Sequence, residues 1–483
     1  MKSRTIFLFF ILLFSSSFLQ ADENVLTLSE NIVTERVLEK NLQVKQIQLN
    51  PSIAEEQITL SKAKFDVTLD VNAAHSRDEL ERSSAFFGNR IDSTLFNLDL
   101  KKEFATGTTT SLGYSHTRSK TFGSTIISST PLYEGVLELQ LSQSLWNNAW
   151  GANSRRVLES SKLSSASVDF ASKRSVQEVL LGVLDAYWNW NVSQQQCKAK
   201  KESLDQAKHF LSIVRKKEHL GAVEETDVLA IQANVLLRTS ALLESENIRD
   251  AFEAELRTAL DIDDDVTLLF SAEKSEKKKI SYTQDLLESA LAERPDFQAQ
   301  KKNVERLGVD FAVAKNRRYP NLELVGTLAE NDIDASVSES FQTDHPKWSL
   351  GVNFSFPLQN RKARALYTQS KLQKMQAVFE LRRLKLSIDH ELQQLSDALH
   401  RKAQQVEKLE EAKHLHARKL WQETEKYQMG RSSSERIINF QDDLIEAEDR
   451  VLNMWKEYKN TEMKFELAKG TLGSAAFQKS VQE

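Results

Sequence analysis

Three groups of residues could do chemistry by their types and spacing: the acidic run Asp261–Asp265, the pair His414 and His416, and Cys197. The acidic run resembles a calcium loop in composition, but Val266 stands where such a loop needs glycine and no glutamate follows at the required spacing. It is therefore predicted to be a solvated helix end. The two histidines are two positions apart, so they do not share a helix face and form no metal site. Cys197 follows three glutamines without a basic cluster, which gives no support for a reactive thiolate.

The sequence contains no set of nucleophile, base and orienting acid in a catalytic pattern. It also contains no phosphate-binding loop. The sequence therefore predicts no catalytic residue, no cofactor and no metal site, and it argues against an enzyme. The charge is nearly balanced, with 64 Lys+Arg against 69 Asp+Glu in 483 residues. That balance excludes a strongly basic nucleic-acid-binding protein.

Helix-breaking residues are rare in this chain. There are 6 Pro and 14 Gly, and residues 132–294 and 358–483 contain no proline. An enzyme with many short loops needs more turn residues than this. The composition therefore favours a protein built mainly from long helices.

Residues 1–21 have the parts of a secretory signal peptide. Lys2 and Arg4 precede the apolar run Ile6–Phe14, and Ala21 provides a small residue before the acidic Asp22. Nine apolar residues are too few to cross about 30 Å of hydrocarbon as a helix. We expect an exported mature chain with no helical membrane anchor.

One unit occurs twice in the sequence. Ser161-Lys162-Leu163 recurs at Ser370-Lys371-Leu372, and Gly221 recurs at Gly430, both at an offset of 209. Upstream the offset is 254, which implies an insertion of 45 residues between positions 66 and 160 of the first copy. We divide the chain into a first repeat (22–265), a connector (266–280), a second repeat (281–475) and a C-terminal tail (476–483). The connector contains Lys277–Lys279 and is predicted to be a soluble loop.

Each repeat contains a very long helix followed by a glycine turn and another helix. The long helices are predicted over about 152–220 and 361–429, each about 100 Å at 1.5 Å per residue. Heptad spacing predicts coiled-coil packing along the long helix of the first copy and along the helix that follows the glycine turn in the second. The apolar positions are Leu204, Ala207, Leu211 and Val214 in the first copy, and Ile437, Phe440, Leu444, Ala447, Val451, Met454 and Tyr458 in the second.

Between the helices, apolar and polar residues alternate with the period of a strand. Runs of about 9–11 residues begin near Phe65, Leu137, Leu322 and Trp348, and the insertion adds another pair around Phe96–Leu100 and Thr110–Tyr114. One apolar and one polar face are typical of membrane-spanning strands. A soluble hairpin sheet is the alternative. Four strands cannot close a barrel alone, so spanning strands would require an oligomer that shares one barrel.

Several motifs in this order resemble the outer-membrane efflux protein (TolC-like) family over most of residues 25–473. They are Phe65–Leu69, Leu139–Leu145, Arg294–Phe297 leading to Tyr319–Leu322, Gly351–Leu358 and Tyr427–Gly430. The resemblance implies a mainly α fold with membrane β. In such proteins three identical chains share a 12-stranded barrel in outer-membrane lipid, and long antiparallel coiled coils form a helical barrel in the periplasm. It also implies a passive conduit that docks to a periplasmic adaptor and an inner-membrane transporter.

The same resemblance assigns roles to two groups of residues. The helix-turn-helix tips would contact the adaptor; they are Leu220, Gly221, Ala222, Val223, Met429, Gly430, Arg431 and Ser432. The gate or constriction of the tunnel would involve Thr226, Asp227, Tyr427, Arg436 and Asn439. Opening would be a rotation of helix pairs that breaks polar links. Arg436 and Asn439 stand where some relatives carry an aspartate ring, and Arg436 is alternatively a solvated helix charge.

Three alternatives remain open at the level of the sequence. The channel could be the outer-membrane duct of a type I protein secretion system rather than part of a small-molecule efflux pump. More distant alternatives are a periplasmic coiled-coil scaffold without a pore, or a periplasmic adaptor, although adaptors usually carry one helical hairpin and a membrane anchor. The insertion could be an extracellular extension or add strands to the barrel.

Overall fold

A computed structural model describes residues 25–270, 281–341 and 345–474. The predicted signal peptide, Lys277–Lys279 in the connector and the C-terminal tail 476–483 lie outside the described residues. The helices are α1 (Glu30–Lys40), α2 (Leu42–Lys62), α3 (Ala152–His219), α4 (Glu225–Leu260), α5 (Gln284–Glu293), α6 (Pro295–Asn316), α7 (Arg361–Gln428) and α8 (Ser434–Lys469). The strands are β1 (Val25–Leu28), β2 (Val67–Asp78), β3 (Arg90–Glu103), β4 (Thr108–Phe122), β5 (Leu132–Ser144), β6 (Thr267–Phe270), β7 (Asn321–Asp334) and β8 (His345–Ser355).

The chain forms two compact units that cut across the two sequence repeats. The tip unit comprises residues 25–41, 183–270 and 408–456 of the described chain. The sheet unit comprises residues 42–182, 281–341, 345–407 and 457–474. Each repeat therefore contributes to both units, because its long helix runs through residues of each.

The tip unit contains a small parallel sheet that the sequence analysis did not predict. Strand β1 pairs with β6, in the register Val25 to Thr267 through Leu28 to Phe270. The expectation of a loop from residue 266 onward is therefore wrong for its first residues. Leu28 and Leu268 are buried, and this burial in a two-stranded sheet explains why a short apolar run is extended there.

The sheet unit is organised around one antiparallel sheet of six strands in the order β2-β3-β4-β5-β7-β8. The strands contain 11 to 15 residues, slightly more than the alternation predicted. The insertion supplies β3 and β4, which lie between β2 and β5. The sheet of this chain therefore has six strands, two more than the four that the resemblance implied for each chain.

The two long helices confirm the sequence prediction to within one residue at each end. Both contain 68 residues, and α3 continues through Gly182 without a break. The heptad positions are the packing faces, since Ala207, Val214, Ile437 and Tyr458 are essentially inaccessible to solvent. Within the described ranges, no helix combines the length and the hydropathy needed to cross a bilayer.

Candidate functional site

The two helix-turn-helix tips have the same backbone geometry. Gly221 and Gly430 adopt φ values of 69° and 74°, the left-handed conformation that a side chain disfavours. The amide of Gly221 donates to the carbonyl of Glu218 at 2.7 Å, and that of Ala222 donates to Lys217 at 2.9 Å. In the second tip, Gly430 donates to Tyr427 at 3.1 Å and Arg431 donates to Lys426 at 2.8 Å. Both turns are Schellman caps, so each glycine is required by the reversal of the chain.

Each tip also presents an apolar side chain to solvent. Leu220 is 82% exposed and Met429, its equivalent at the offset of 209, is 65% exposed. Ala222 and Arg431 are exposed as well, whereas Val223 packs partly against the core of the tip unit. The two turns therefore present an apolar side chain to solvent at equivalent positions.

Tyr427 lies in the core that closes the base of these turns. Its ring packs edge-on against Phe210 with centroids 5.0 Å apart, and its hydroxyl lies 3.1 Å from Oγ of Ser434. Lys217 Nζ lies 4.2 Å from the ring centroid and donates to the Tyr427 carbonyl at 2.8 Å. Burial, together with the charge of Asp227, raises the pKa of the Tyr427 phenol. Tyr427 and Asp227, one from each repeat, are thus neighbours.

The carboxylate of Glu423 contacts three polar side chains of the second tip. It is almost fully buried as a residue, and its carboxylate accepts from Ser432 Oγ at 2.8 Å and from Lys426 Nζ at 3.1 Å. Arg436 Nη1 approaches the same carboxylate to 3.4 Å. The bonds from Ser432 and Lys426, and then the charges of Lys426 and Arg436, lower the pKa of Glu423. The sequence analysis missed Glu423, because nothing in its spacing distinguishes it from other helix glutamates.

The remaining predicted gate residues lie on accessible surface of the tip unit. Thr226 is exposed and its hydroxyl contacts Glu224 at 3.4 Å, while Asp227 lies in the first turn of α4. Asn439 is exposed, and the Arg436 side chain is 61% exposed although it reaches Glu423. These four residues are at least partly accessible to other molecules, whereas the side chain of Tyr427 is buried by contacts within its own chain.

A buried arginine links three helices deeper in the tip unit. Arg238 on α4 donates through Nε to Asn234 at 2.7 Å and through Nη2 to Asp442 on α8 at 2.9 Å. It also bonds to Ser203 on α3 and to Gln441. Burial lowers the pKa of Arg238, and the Asp442 charge opposes that effect. At the offset of 209 the equivalent of Arg238 is Ala447, so the duplicated pattern gave no signal for this residue.

The six-stranded sheet of the other unit has two chemically different faces. One row across the strands, in hydrogen-bonded register, is Leu69, Leu100, Leu112, Leu139, Leu328 and Trp348. Apart from Leu139, these side chains are exposed to solvent. The adjacent row on the opposite face is Thr68, Lys101, Ser111, Gln140, Thr327 and Ser349. An exposed apolar face backed by a polar face is the pattern of strands that separate lipid from water.

The residues considered for chemistry show no catalytic arrangement. Asp261 caps the C-terminus of α4 with φ of 51°, which confirms the prediction of a helix end. His416 lies 3.8 Å from Asp443, and Cys197 is a buried free thiol with Arg249 Nη1 at 3.9 Å. Over residues 25–270, 281–341 and 345–474, no cluster of His, Cys, Asp or Glu is arranged to hold a metal ion.

Long duplicated helices with capped glycine tips, together with a two-faced antiparallel sheet, define a channel-type protein of a membrane. The sequence profile of the outer membrane efflux protein family matches residues 33–261 and 286–471. The chain belongs to this family, and the two matched segments correspond to the two repeats. It is an outer-membrane channel protein with a periplasmic helical part, and it is not an enzyme.

Solved structures of several channels share the fold. The structure is similar to CusC (12% identity, TM-score 0.71, covering 93% of each chain) and to CmeC of Campylobacter jejuni (16% identity, TM-score 0.71, covering 93% of this chain and 88% of CmeC). It is also similar to the open state of MtrE of Neisseria gonorrhoeae (15% identity, TM-score 0.67, covering 92% of this chain and 89% of MtrE). No curated protein sequence matches the chain.

Proposed function

We propose that this protein is the outer-membrane channel-tunnel of a tripartite efflux system. Three copies form the conduit, a periplasmic adaptor docks at the helix tips, and an inner-membrane transporter supplies the energy. The sheet unit faces outer-membrane lipid with its apolar rows and water with its polar rows. A signal peptide at residues 1–21 directs export of the chain.

The observation that carries this proposal is the pair of equivalent tips with exposed apolar residues. Leu220 and Met429 stand beside glycines of the same backbone conformation, one in each repeat. Two equivalent tips per chain give six in a trimer, arranged with pseudo-sixfold symmetry. A ring of this kind offers repeated, identical docking positions to the adaptor, while Gly221 and Gly430 keep the turns short.

The gate is proposed to lie at the base of the same turns. The exposed Thr226, Arg436 and Asn439 and the half-buried Asp227 would form links between neighbouring chains, and Tyr427 would hold the turn that positions them. A constriction lined by the guanidinium group of Arg436 would favour anions. Opening is an iris-like rotation of the helix pairs that separates these links when the adaptor binds.

The docking proposal is tested by changing the polarity of the tips. Leu220→Ser and Met429→Ser should together abolish efflux of a fluorescent dye in cells that express this channel with its own adaptor and pump. The matched controls Leu220→Met and Met429→Leu keep the apolar surface and should retain efflux. Conductance of the purified double serine variant in a planar bilayer should be unchanged.

Each failure of this experiment has a defined meaning. If the serine variants support normal efflux, the tips are not the adaptor contact. If the wild-type channel transports an unfolded polypeptide substrate but no dye, the type I secretion alternative replaces efflux. Neither result would alter the fold or the family of the chain.

A further inference from the structure

The inserted hairpin β3–β4 is an integral part of the six-stranded sheet, between β2 and β5. Its turn is bonded at the helix-proximal end: the amide of Ser144 donates to the Gly107 carbonyl at 3.2 Å, and Arg155 Nη1 donates to the Ala105 carbonyl at 3.0 Å. Thr108 Oγ1 donates to Gln143 at 2.6 Å. A Cβ on Gly107 would come within 2.5 Å of the Gly151 amide, so the turn packs directly on the start of α3.

The hairpin also continues both faces of the sheet across the middle of its strands. Leu98 and Leu100 of β3 pair with Tyr114 and Leu112 of β4 on the apolar face. Asn97 pairs with Ser115 on the polar face. This alternation is what a strand between lipid and water requires, and the bonded turn places the hairpin in line with the other strands.

The two edges of the six-stranded sheet have no partner strand within the described chain. Every residue of β8 is exposed, and so is every residue of β2 except the last. Unpaired backbone groups cannot face hydrocarbon, so both edges must be covered once the sheet is in lipid. Six strands are too few for the sheet to close on itself, because about eight is the practical minimum.

A second copy of this chain fits those edges. The strands alternate in direction along the sheet, so an even number places β8 antiparallel to β2 of the next copy. Both edges carry apolar residues on the same face: Val67, Leu69 and Val71 on β2, and Trp348, Leu350, Val352 and Phe354 on β8. Joining the edges therefore continues one apolar band around a ring.

The width of the strands also matches that of the helices that continue from them. Strands about 4.8 Å apart and tilted by about 40° occupy about 38 Å of circumference when there are six. The sheet unit contains all of α2 and α6 and parts of α3 and α7, and four helices packed side by side about 9–10 Å apart would occupy about 36–40 Å. Four strands would occupy only about 25 Å on the same estimate.

We propose that three copies of this chain close an 18-stranded barrel, in which the β3–β4 hairpin widens the membrane pore to the width of the helical tunnel. This inference rests on the trimer of the proposed function. The backbone diameter would be about 36 Å, against about 24 Å for 12 strands at the same tilt. The outer-membrane segment then does not restrict the conduit.

Electron cryo-microscopy of the full mature chain in lipid nanodiscs tests this proposal directly. The expected particle has three copies and 18 strands at a diameter of about 36 Å. Three copies with a 12-stranded barrel and an excluded hairpin would overturn this inference and leave the proposed channel intact. Two copies that share 12 strands would also overturn it, and so would an unclosed sheet, which would count against the proposed function too.

Cysteine pairs provide a second test that does not depend on image reconstruction. In a Cys197→Ser background, Asn97→Cys with Ser115→Cys should form a disulfide within the chain, because these residues are direct cross-strand partners. Asn72→Cys with Val136→Cys should form none, since two strands separate β2 from β5. The first pair is the control for cross-strand disulfide formation. A disulfide from the second pair, with or without one from the first, would show that β2 lies beside β5 and that the hairpin lies outside the barrel.

Discussion

The hydroxyl of Tyr427, at the end of α7, lies 3.1 Å from Oγ of Ser434, the first residue of α8. Both side chains are buried, and the bond spans the turn that carries Met429 and Gly430. The tyrosine that the family resemblance places in the gate therefore stabilises its own hairpin. Its influence on the gate would pass through the position of the turn.

Tyr427→Phe should loosen the second tip. Loss of the hydroxyl removes one buried hydrogen bond worth about 1 kcal/mol, which corresponds to about fivefold faster local opening. Hydrogen exchange of the amides in residues 420–437 measures this opening. Ser434→Ala should show a similar effect, and the double variant should add little to either single change. Fully additive effects would contradict a direct bond between these side chains.

Glu423→Gln should release Arg436 and weaken the same tip. The neutral amide no longer attracts Lys426 and Arg436, whereas Glu425→Gln on the exposed side of α7 should have little effect. The rate of trypsin cleavage after Arg436 measures whether its side chain has been released. Cleavage should be faster in Glu423→Gln than in Glu425→Gln. Equal cleavage of the two variants would contradict the role assigned to Glu423.

The lowered pKa of Glu423 predicts how the second tip responds to acid. The pKa of Glu423 is lowered in the folded protein. The contribution of its carboxylate to the stability of the tip is therefore fully present above the ordinary glutamate pKa of about 4.3. That contribution is lost as the pH falls through the lowered value. Hydrogen exchange at the tip should thus increase at acidic pH in the wild type, and this pH dependence should be reduced in Glu423→Gln. An unchanged profile in the variant would assign the acid response to other carboxylates, such as Asp443.

Replacement of glycine by alanine should stabilise the protein at Gly182 and destabilise it at Gly221 and Gly430. A Cβ meets no atom within 4 Å at Gly182, Gly221 or Gly430. Gly182→Ala removes a flexible residue from a helix interior and should stabilise α3 by about 0.5–1 kcal/mol. Gly221→Ala and Gly430→Ala force an L-residue into the left-handed conformation and should destabilise the tips by about 1–2 kcal/mol. Destabilisation by all three changes, measured by thermal unfolding and hydrogen exchange, would contradict this account.

Arg238→Ala should destabilise the tip unit more than Arg238→Met. Both changes remove the bonds to Asp442 and Ser203, but methionine fills the volume that alanine leaves empty between α3, α4 and α8. We expect alanine to cost about 2–4 kcal/mol and methionine clearly less. Urea unfolding monitored by tryptophan fluorescence measures the difference. Equal losses would mean that the polar network, rather than packing, determines stability at this site.

The long helices could be predicted from the sequence because their signals are local. The absence of proline and a glycine after the C-terminal end determine α3 and α7, whose observed bounds are Ala152–His219 and Arg361–Gln428, and a heptad seam further supports α3. Strand alternation likewise predicted both faces of the sheet. The place of the insertion could not be predicted, because its alternation fits an extracellular hairpin and a barrel strand equally until Gly107 is seen packed on Gly151.

The candidate site was only partly predictable for a related reason. Gly221 and Gly430 carry a backbone requirement that appears in the sequence. Glu423 and Arg238 act through partners on other helices, and heptad spacing does not specify which polar residues meet across a coiled coil. Strand β6 was missed because its three apolar residues, Leu268, Leu269 and Phe270, are too few to show a period.

The central claim, that this chain forms a channel across the outer membrane, is tested most directly by single-channel recording of the purified mature protein in a planar bilayer. The account predicts discrete, reproducible conductance steps from a species with the mass of three chains in detergent. Those steps should increase when Glu423→Gln loosens the tips. A protein that stays in solution without detergent and gives no conductance would contradict the claim.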